Sequence, residues 1–270
     1  MKKILITNDD GINADGLIRL VKVAREFGDV WVVAPESQRS AALHSITLHK
    51  PIDVYPCELK LEEDCGKEYS DAAQTVKDNT DTNDSVDDGY RSGKVHAFSC
   101  SGTPADCVRV GSLNVMPEKP DVVLSGINYG YNACSDIQYS ATAGAAFEGT
   151  FQGYLSIALS EGANPCHEVT DTYLHEVLAV LLEKEHVPGH IYNVNFPQCR
   201  LSECKGILWD RSVSEGMFFR DRYNIVEKLK DGGTRYMVEG QYNEDAEADT
   251  DFRAIVDGYV SVGVVNNIGY

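Results

Sequence analysis

The chain is poor in basic charge: 24 lysines and arginines stand against 42 aspartates and glutamates, a formal net charge of −18 over 270 residues. Nucleic-acid backbones and anionic bilayers bind basic patches, so neither a polymeric nucleic acid nor a membrane is expected as a partner. Long apolar runs are missing too. No stretch is long enough to span a bilayer, and two lysines lead straight into a strand-like run with no small-residue cleavage site. A cytoplasmic location is the expectation. The eight cysteines, at 57, 65, 100, 107, 134, 166, 199 and 204, include no Cys-x-x-Cys pair and are read as free thiols. Large apolar residues are scarce from 62 to about 94, where Asp78, Asp81, Asp84, Asp87 and Asp88 lack EF-hand spacing. This segment is expected to be a solvated acidic insertion.

What is present begins with Ile4-Leu5-Ile6-Thr7-Asn8-Asp9-Asp10-Gly11. The apolar run reads as a buried parallel strand that ends in small polar residues and a glycine. Ligands of open α/β sheets bind at the carboxyl ends of strands. Two adjacent carboxylates there repel one another unless a cation or proton neutralises them, which suits a hard divalent metal. Taken alone, the same residues also suit turn chemistry or a helix N-cap.

Leu17, Leu20, Val21 and Ala24 then recur at helical spacing, and Val30-Trp31-Val32-Val33-Ala34 gives a second strand. Residues 121–124, 156–159 and 191–195 read as further strands, with helices from about 142 to 152 and from about 170. The expected fold is a Rossmann-like, doubly wound, mostly parallel sheet over residues 1–197. A β-rich extension over 198–270 is expected from strand-like stretches near 206–209, 235–239 and 258–264.

Three more loops follow strand-like runs. Glu36-Ser37-Gln38-Arg39-Ser40 offers a hydroxyl for a metal, although by itself it reads as a capped loop with Arg39 as a surface charge. Gly102 and Thr103 precede Pro104 at a helix start whose free amides suit a phosphate or form an ordinary cap. In the last loop Asn128 and Asn132 supply carbonyl oxygens, and Ser140 and Thr142 stand where a helix begins. Asp9, Asp10, Ser40 and Asn128 come from different strand ends and converge if the sheet forms as read. An oxygen-only set matches Mg2+ or Mn2+ better than zinc.

The stretches Ile6-Thr7-Asn8-Asp9-Asp10-Gly11, Ala34-Pro35 through Arg39-Ser40, Gly102-Thr103-Pro104-Ala105-Asp106-Cys107, Ser125-Gly126-Ile127-Asn128 and Tyr139-Ser140 through Glu148-Gly149 stand in one order. Asn193 to Pro197, Thr250 to Phe252 and Gly258 to Ser261 continue it. In this the chain resembles the SurE (stationary-phase survival protein) nucleotidases over nearly its whole length. The resemblance implies a metal-dependent phosphomonoesterase acting on nucleoside 5′- and 3′-monophosphates, sometimes on short polyphosphate. It also implies a C-terminal arm that forms a homodimer or homotetramer. Carried over, Asp9, Asp10, Ser40 and Asn128 look like the metal ligands, with Asp9 or Asp10 as base. Asn8, Gly102, Thr103, Asn132, Ser140 and Thr142 fall on positions that line the phosphate pocket. The chain departs from the family pattern at Ala41, His44, Ala141 and Cys134-Ser135-Asp136. Two rival readings stay open: a nucleotide-binding regulatory protein with weak turnover, and a hydrolase of another phosphoester.

Overall fold

A computed structural model of the chain describes residues 1–61, 92–243 and 245–266. The acidic insertion expected over 62–94 lies almost wholly outside the described residues. The order of elements is β1 (Lys2–Thr7), α1 (Asp15–Ala24), β2 (Gly28–Pro35), β3 (Val54–Cys57), β4 (Val95–Cys100), α2 (Pro104–Val110), β5 (Val122–Tyr129), α3 (Ala141–Phe151), β6 (Leu155–Glu161), α4 (Glu168–Leu181) and β7 (His190–Phe196). It continues with β8 (Ile207–Arg211), β9 (Phe219–Lys228), β10 (Thr234–Tyr242), α5 (Asp251–Val256) and β11 (Val260–Asn266).

Nine strands make one sheet in the order β3-β4-β2-β1-β5-β6-β7-β11-β8. The six strands from β4 to β7 in that order are mutually parallel, so their carboxyl ends share one edge. Winding starts at β1, moves outward through β2 and β4, then returns across to β5 on the other side of β1. The exits of β1 and β5 therefore flank the topological switch point, where open α/β sheets leave a crevice.

Side chains of a strand alternate between the two faces, and here both faces are covered. Ile4, Ile6, Val30, Val32, Leu124, Ile157 and Leu159 meet Leu17, Leu20 and Val21 of α1 and Leu174, Val177 and Leu178 of α4. On the opposite face Leu5, Val33 and Val123 meet Cys107 and Val108 of α2 and Ala145 of α3. Strands buried on both sides read as continuous apolar runs rather than alternating ones, as 4–7 and 122–127 do.

Of the stretch 198–270, β8 and β11 complete the far edge of the large sheet, with β11 antiparallel to β7 and parallel to β8. The antiparallel pair β9–β10 stands apart from it. Every residue of β9 is exposed. Tyr223, Ile225, Val226, Tyr236, Met237 and Val238 put apolar surface into solvent on this hairpin.

Candidate active site at the switch point

The loop leaving β1 is built around Asn8. Its side-chain oxygen accepts from Gly11 N–H at 3.2 Å and its amide donates to Gly11 C=O at 3.0 Å. Gly11 has φ +103°, a conformation in which a side chain is strained. Asn8 is fully buried, so the structure shows it bracing the loop from beneath. Ile12 N–H donates to Pro35 C=O at 2.8 Å and Arg39 N–H to Asp9 C=O at 2.7 Å, which fastens the β1 and β2 exits together.

Asp9 and Asp10 then turn to different sides. Asp9, 5% exposed, accepts from the Thr142 hydroxyl at 2.7 Å through Oδ1. Asp10 accepts from Tyr129 N–H at 3.1 Å and from Gln38 Nε2 at 3.3 Å. Burial pushes the Asp9 carboxyl up to about 6; the Thr142 hydroxyl opposes this and the Asp10 charge adds to it. Burial also raises Asp10, against the pull of Tyr129 N–H and Gln38. A buried, adjacent acid pair held in this way is a field that a cation relieves.

Thr142 reaches Asp9 because it lies in the first turn of α3, whose N-cap Ser140 accepts from Ala143 N–H at 2.9 Å. Ser140 is thus engaged with its own helix. Ser40 and Asp10 share one donor, since Gln38 Nε2 also reaches Ser40 Oγ at 2.9 Å. Asn128 donates its amide to Gly130 C=O at 2.7 Å, which turns its carbonyl oxygen the other way, and the next residue's N–H holds Asp10. The structure therefore links Asp9, Asp10, Ser40, Asn128 and Thr142 around the switch point. Two carboxylates, a hydroxyl and an amide carbonyl suit a hard divalent cation by donor type. Among the described residues no cluster of three or more His, Cys, Asp or Glu forms a competing metal centre.

Asn132 lies one strand further along. Its N–H meets Asn195 Oδ1 at 2.9 Å, its side-chain amide meets Ser160 Oγ at 2.8 Å, and its C=O accepts from Asn193 and Asn195 at 2.8 and 3.0 Å. Asn193, Asn195 and Ser160 are thus positioning residues that sequence reasoning did not single out as site candidates. Asn193 and Asn195 alternate along β7 and stand in one of the stretches that carry the family resemblance, two signals that could have marked them.

Gly102 and Thr103 stand at the β4 exit. Thr103 caps α2, accepting from Asp106 N–H at 3.1 Å while its hydroxyl donates to Ser45 C=O at 2.7 Å. A side chain at Gly102 would meet Asp106 Cβ at 2.7 Å. Both residues therefore lock the start of α2, and they connect to the acid pair through Arg39, whose Nη2 donates to Ser101 C=O at 3.1 Å. Arg39, read from sequence as a surface charge, is half-buried and its Nε has no hydrogen-bond partner among the described residues. Gln38 was missed as well, because an exposed loop glutamine has no periodicity to betray it.

Fold and site together define an open α/β-sheet protein with a paired-carboxylate, oxygen-donor centre at its switch point. The chain belongs to the survival protein SurE family, whose model matches residues 4–217. It is 36% identical over 271 residues to the "5'-nucleotidase SurE" of Chelativorans sp. (strain BNC1), with 96% of this chain and 91% of that one covered. It is 35% identical to the protein of the same name from Christiangramia forsetii, covering 96% and 88%. Among solved structures it is similar to the SurE protein from Aquifex aeolicus at a TM-score of 0.72 and 29% identity, over 98% of this chain and 93% of that chain.

Proposed function

We propose that the protein is a metal-dependent 5′-nucleotidase that hydrolyses nucleoside 5′- and 3′-monophosphates to nucleoside and phosphate. The observation that carries this is the junction of Asp9, Asp10, Ser40 and Asn128 from three strand exits at the switch point, in a chain of the SurE family. Asp9, Asp10, Ser40 and Asn128 would hold one divalent cation, Mg2+ or Mn2+. When bound, it supplies electrostatic activation of the phosphoryl group and of the attacking water.

The chain's own residues do the rest. Thr142 fixes Asp9 Oδ1, and Asp9 Oδ2 takes the proton of the attacking water. Asp10, held by Tyr129 N–H and Gln38, keeps the second carboxylate in place, and the proton taken by Asp9 is returned to the departing nucleoside oxygen, directly or through water. The α3 N-terminus and the half-buried guanidinium of Arg39 stabilise charge on the phosphoryl oxygens. No covalent enzyme intermediate is needed.

Two further features extend the proposal. The exposed apolar β9–β10 hairpin supports a homodimer or homotetramer, because an unpartnered ribbon of this kind is not stable in water. The seven cysteines among the described residues are free of disulfides, which supports a reducing, cytoplasmic location.

The test is phosphate release from a panel of nucleoside 5′- and 3′-monophosphates with Mg2+, Mn2+ or chelator, in the parent and in Asp9→Asn. Metal-dependent release that falls at least a hundredfold in the variant is expected. Nucleotide binding without release in every metal would identify a regulatory protein instead.

A further inference from the structure

Three half-buried thiols, Cys166, Cys199 and Cys204, meet where the β6–α4 and β7–β8 connections touch. Leu201–Glu203 form one turn of 3₁₀ helix after β7, and Cys204 N–H closes it by donating to Arg200 C=O at 3.1 Å and to Leu201 C=O at 3.2 Å. The turn folds Cys204 back towards Cys199, and the two thiols hydrogen-bond each other. Cys204 S–H also reaches Gly206 C=O at 4.0 Å, and the Tyr173 hydroxyl of α4 hydrogen-bonds the Cys204 sulfur. From the other connection Cys166 S–H donates to Cys199 C=O at 3.7 Å. Glu168 Oε2 accepts from Leu201 N–H at 3.1 Å, so the turn is tied to the start of α4.

A cleft of about 250 Å3 opens onto Cys199, with Pro197, Gln198, Ile255, Val256 and Gly258 among its lining. Its walls are chiefly apolar, and it leaves room for a small thiol-bearing molecule beside the pair. In a reducing compartment, disulfides that do form are transient and catalytic or redox-sensing. Two thiols in mutual contact, one of them in the wall of an open cleft, are the arrangement that thiol–disulfide exchange requires.

We propose that Cys199 and Cys204 are a redox-active pair that reduces low-molecular-weight disulfides and is itself converted to a reversible disulfide across the β7–β8 turn. One sulfur of the pair, as thiolate, attacks the small disulfide; that S–S bond breaks and the first small thiol leaves with a proton. The other sulfur gives up its proton and attacks the mixed disulfide, forming the Cys199–Cys204 bond and releasing the second small thiol. The pair loses two electrons and two protons, and the small disulfide gains them. Burial, with Cys204, Glu203 and Cys166 close by, pushes the Cys199 thiol up to about 11, so the exchange quickens as pH rises.

The test treats the reduced full-length protein with oxidised glutathione, blocks the remaining thiols and maps tryptic peptides by mass spectrometry; phosphate release plays no part in the readout. Cleavage after Arg200 and Lys205 separates the two cysteines, so their disulfide appears as a linked pair of peptides. It should form at least tenfold faster than glutathione adds to Cys57, a half-buried thiol on the edge strand β3, and dithiothreitol should reverse it. In Cys199→Ser and in Cys204→Ser the reaction should stop at a mixed disulfide on the remaining partner, while Cys166→Ser should behave as the parent. No linked pair in the parent, a pair that joins Cys166 instead, or formation no faster than addition to Cys57 overturns the proposal. The parent alone gives this answer, so a variant that fails to fold leaves the test intact.

Discussion

At the scale of single residues, Asp9 places function and stability in opposition. Its carboxyl is raised from an ordinary 3.8 to about 6 chiefly by burial, so the folded protein holds this proton more tightly than the unfolded chain does. Stability gained from that proton is complete below about pH 3.8 and is lost as pH rises through about 6. The gap corresponds to on the order of 3 kcal/mol. Asp9→Asn should therefore stabilise the chelator-treated protein at pH 7.5 by up to about that amount, with no gain at pH 3.5. Urea denaturation at the two pH values checks this, and a variant less stable at pH 7.5 contradicts it. The acid pair was visible in the sequence because an apolar strand ends directly on Asn-Asp-Asp-Gly, a stretch that taken alone also suits turn chemistry or a helix N-cap. Gln38 and Arg39 were not, since their contacts depend on which strand exits become neighbours, a property of sheet order rather than of local pattern.

At the scale of elements, α3 shows why small residues gather in one helix. Its residues from Ala141 to Thr150 are all buried, which an amphipathic helix does not permit. A side chain at Gly144 would stand 2.8 Å from Leu43 C=O, so this glycine lets the loop after β2 lie directly on the helix that carries Thr142. Beside it Glu148 is paired with Arg109 at 3.0 Å and with His44 at 2.9 Å. That pairing gives His44, one of the departures from the family pattern, a place in the same contact. Gly144→Val should cost about 1–3 kcal/mol by overpacking and should reduce phosphate release by displacing the loop that carries Ser40. Denaturation midpoints and steady-state rates on one preparation test the coupling; loss of stability with full activity breaks it. Strands β1, β2, β5, β6 and β7 and helices α1, α3 and α4 were readable from apolar periodicity, because buried parallel strands and their crossover helices repeat a simple pattern; the four-residue edge strand β3 was not. Strand β9 and helix α5 were not, being an exposed polar-apolar mixture and a single short turn-and-a-half.

At the scale of the whole molecule, the acidic surplus and the β9–β10 hairpin act in different ways. Net charge of −18 is electrostatically unfavourable to polyanions, while the hairpin offers a long ribbon of exposed apolar side chains in the described structure. Asn243 N–H already donates to Phe218 C=O at 3.0 Å, so the ends of the hairpin are paired at its base. If the hairpin is the subunit contact proposed above, replacing residues 219–242 by a short turn should leave the sheet folded and reduce a light-scattering mass that is a multiple of 29.7 kDa to about a single chain. An unchanged oligomer would place the subunit contact elsewhere.

The fastening of the β1 exit to β2, through Ile12 with Pro35 and Asp9 with Arg39, divides the sequence space around the centre into two regions. Variation at the frame alters whether the protein turns over at all. Variation at exposed positions outside it, such as those of β9, leaves these two bonds untouched. Surface loops can therefore drift in this chain while the register of its two central strand exits stays fixed.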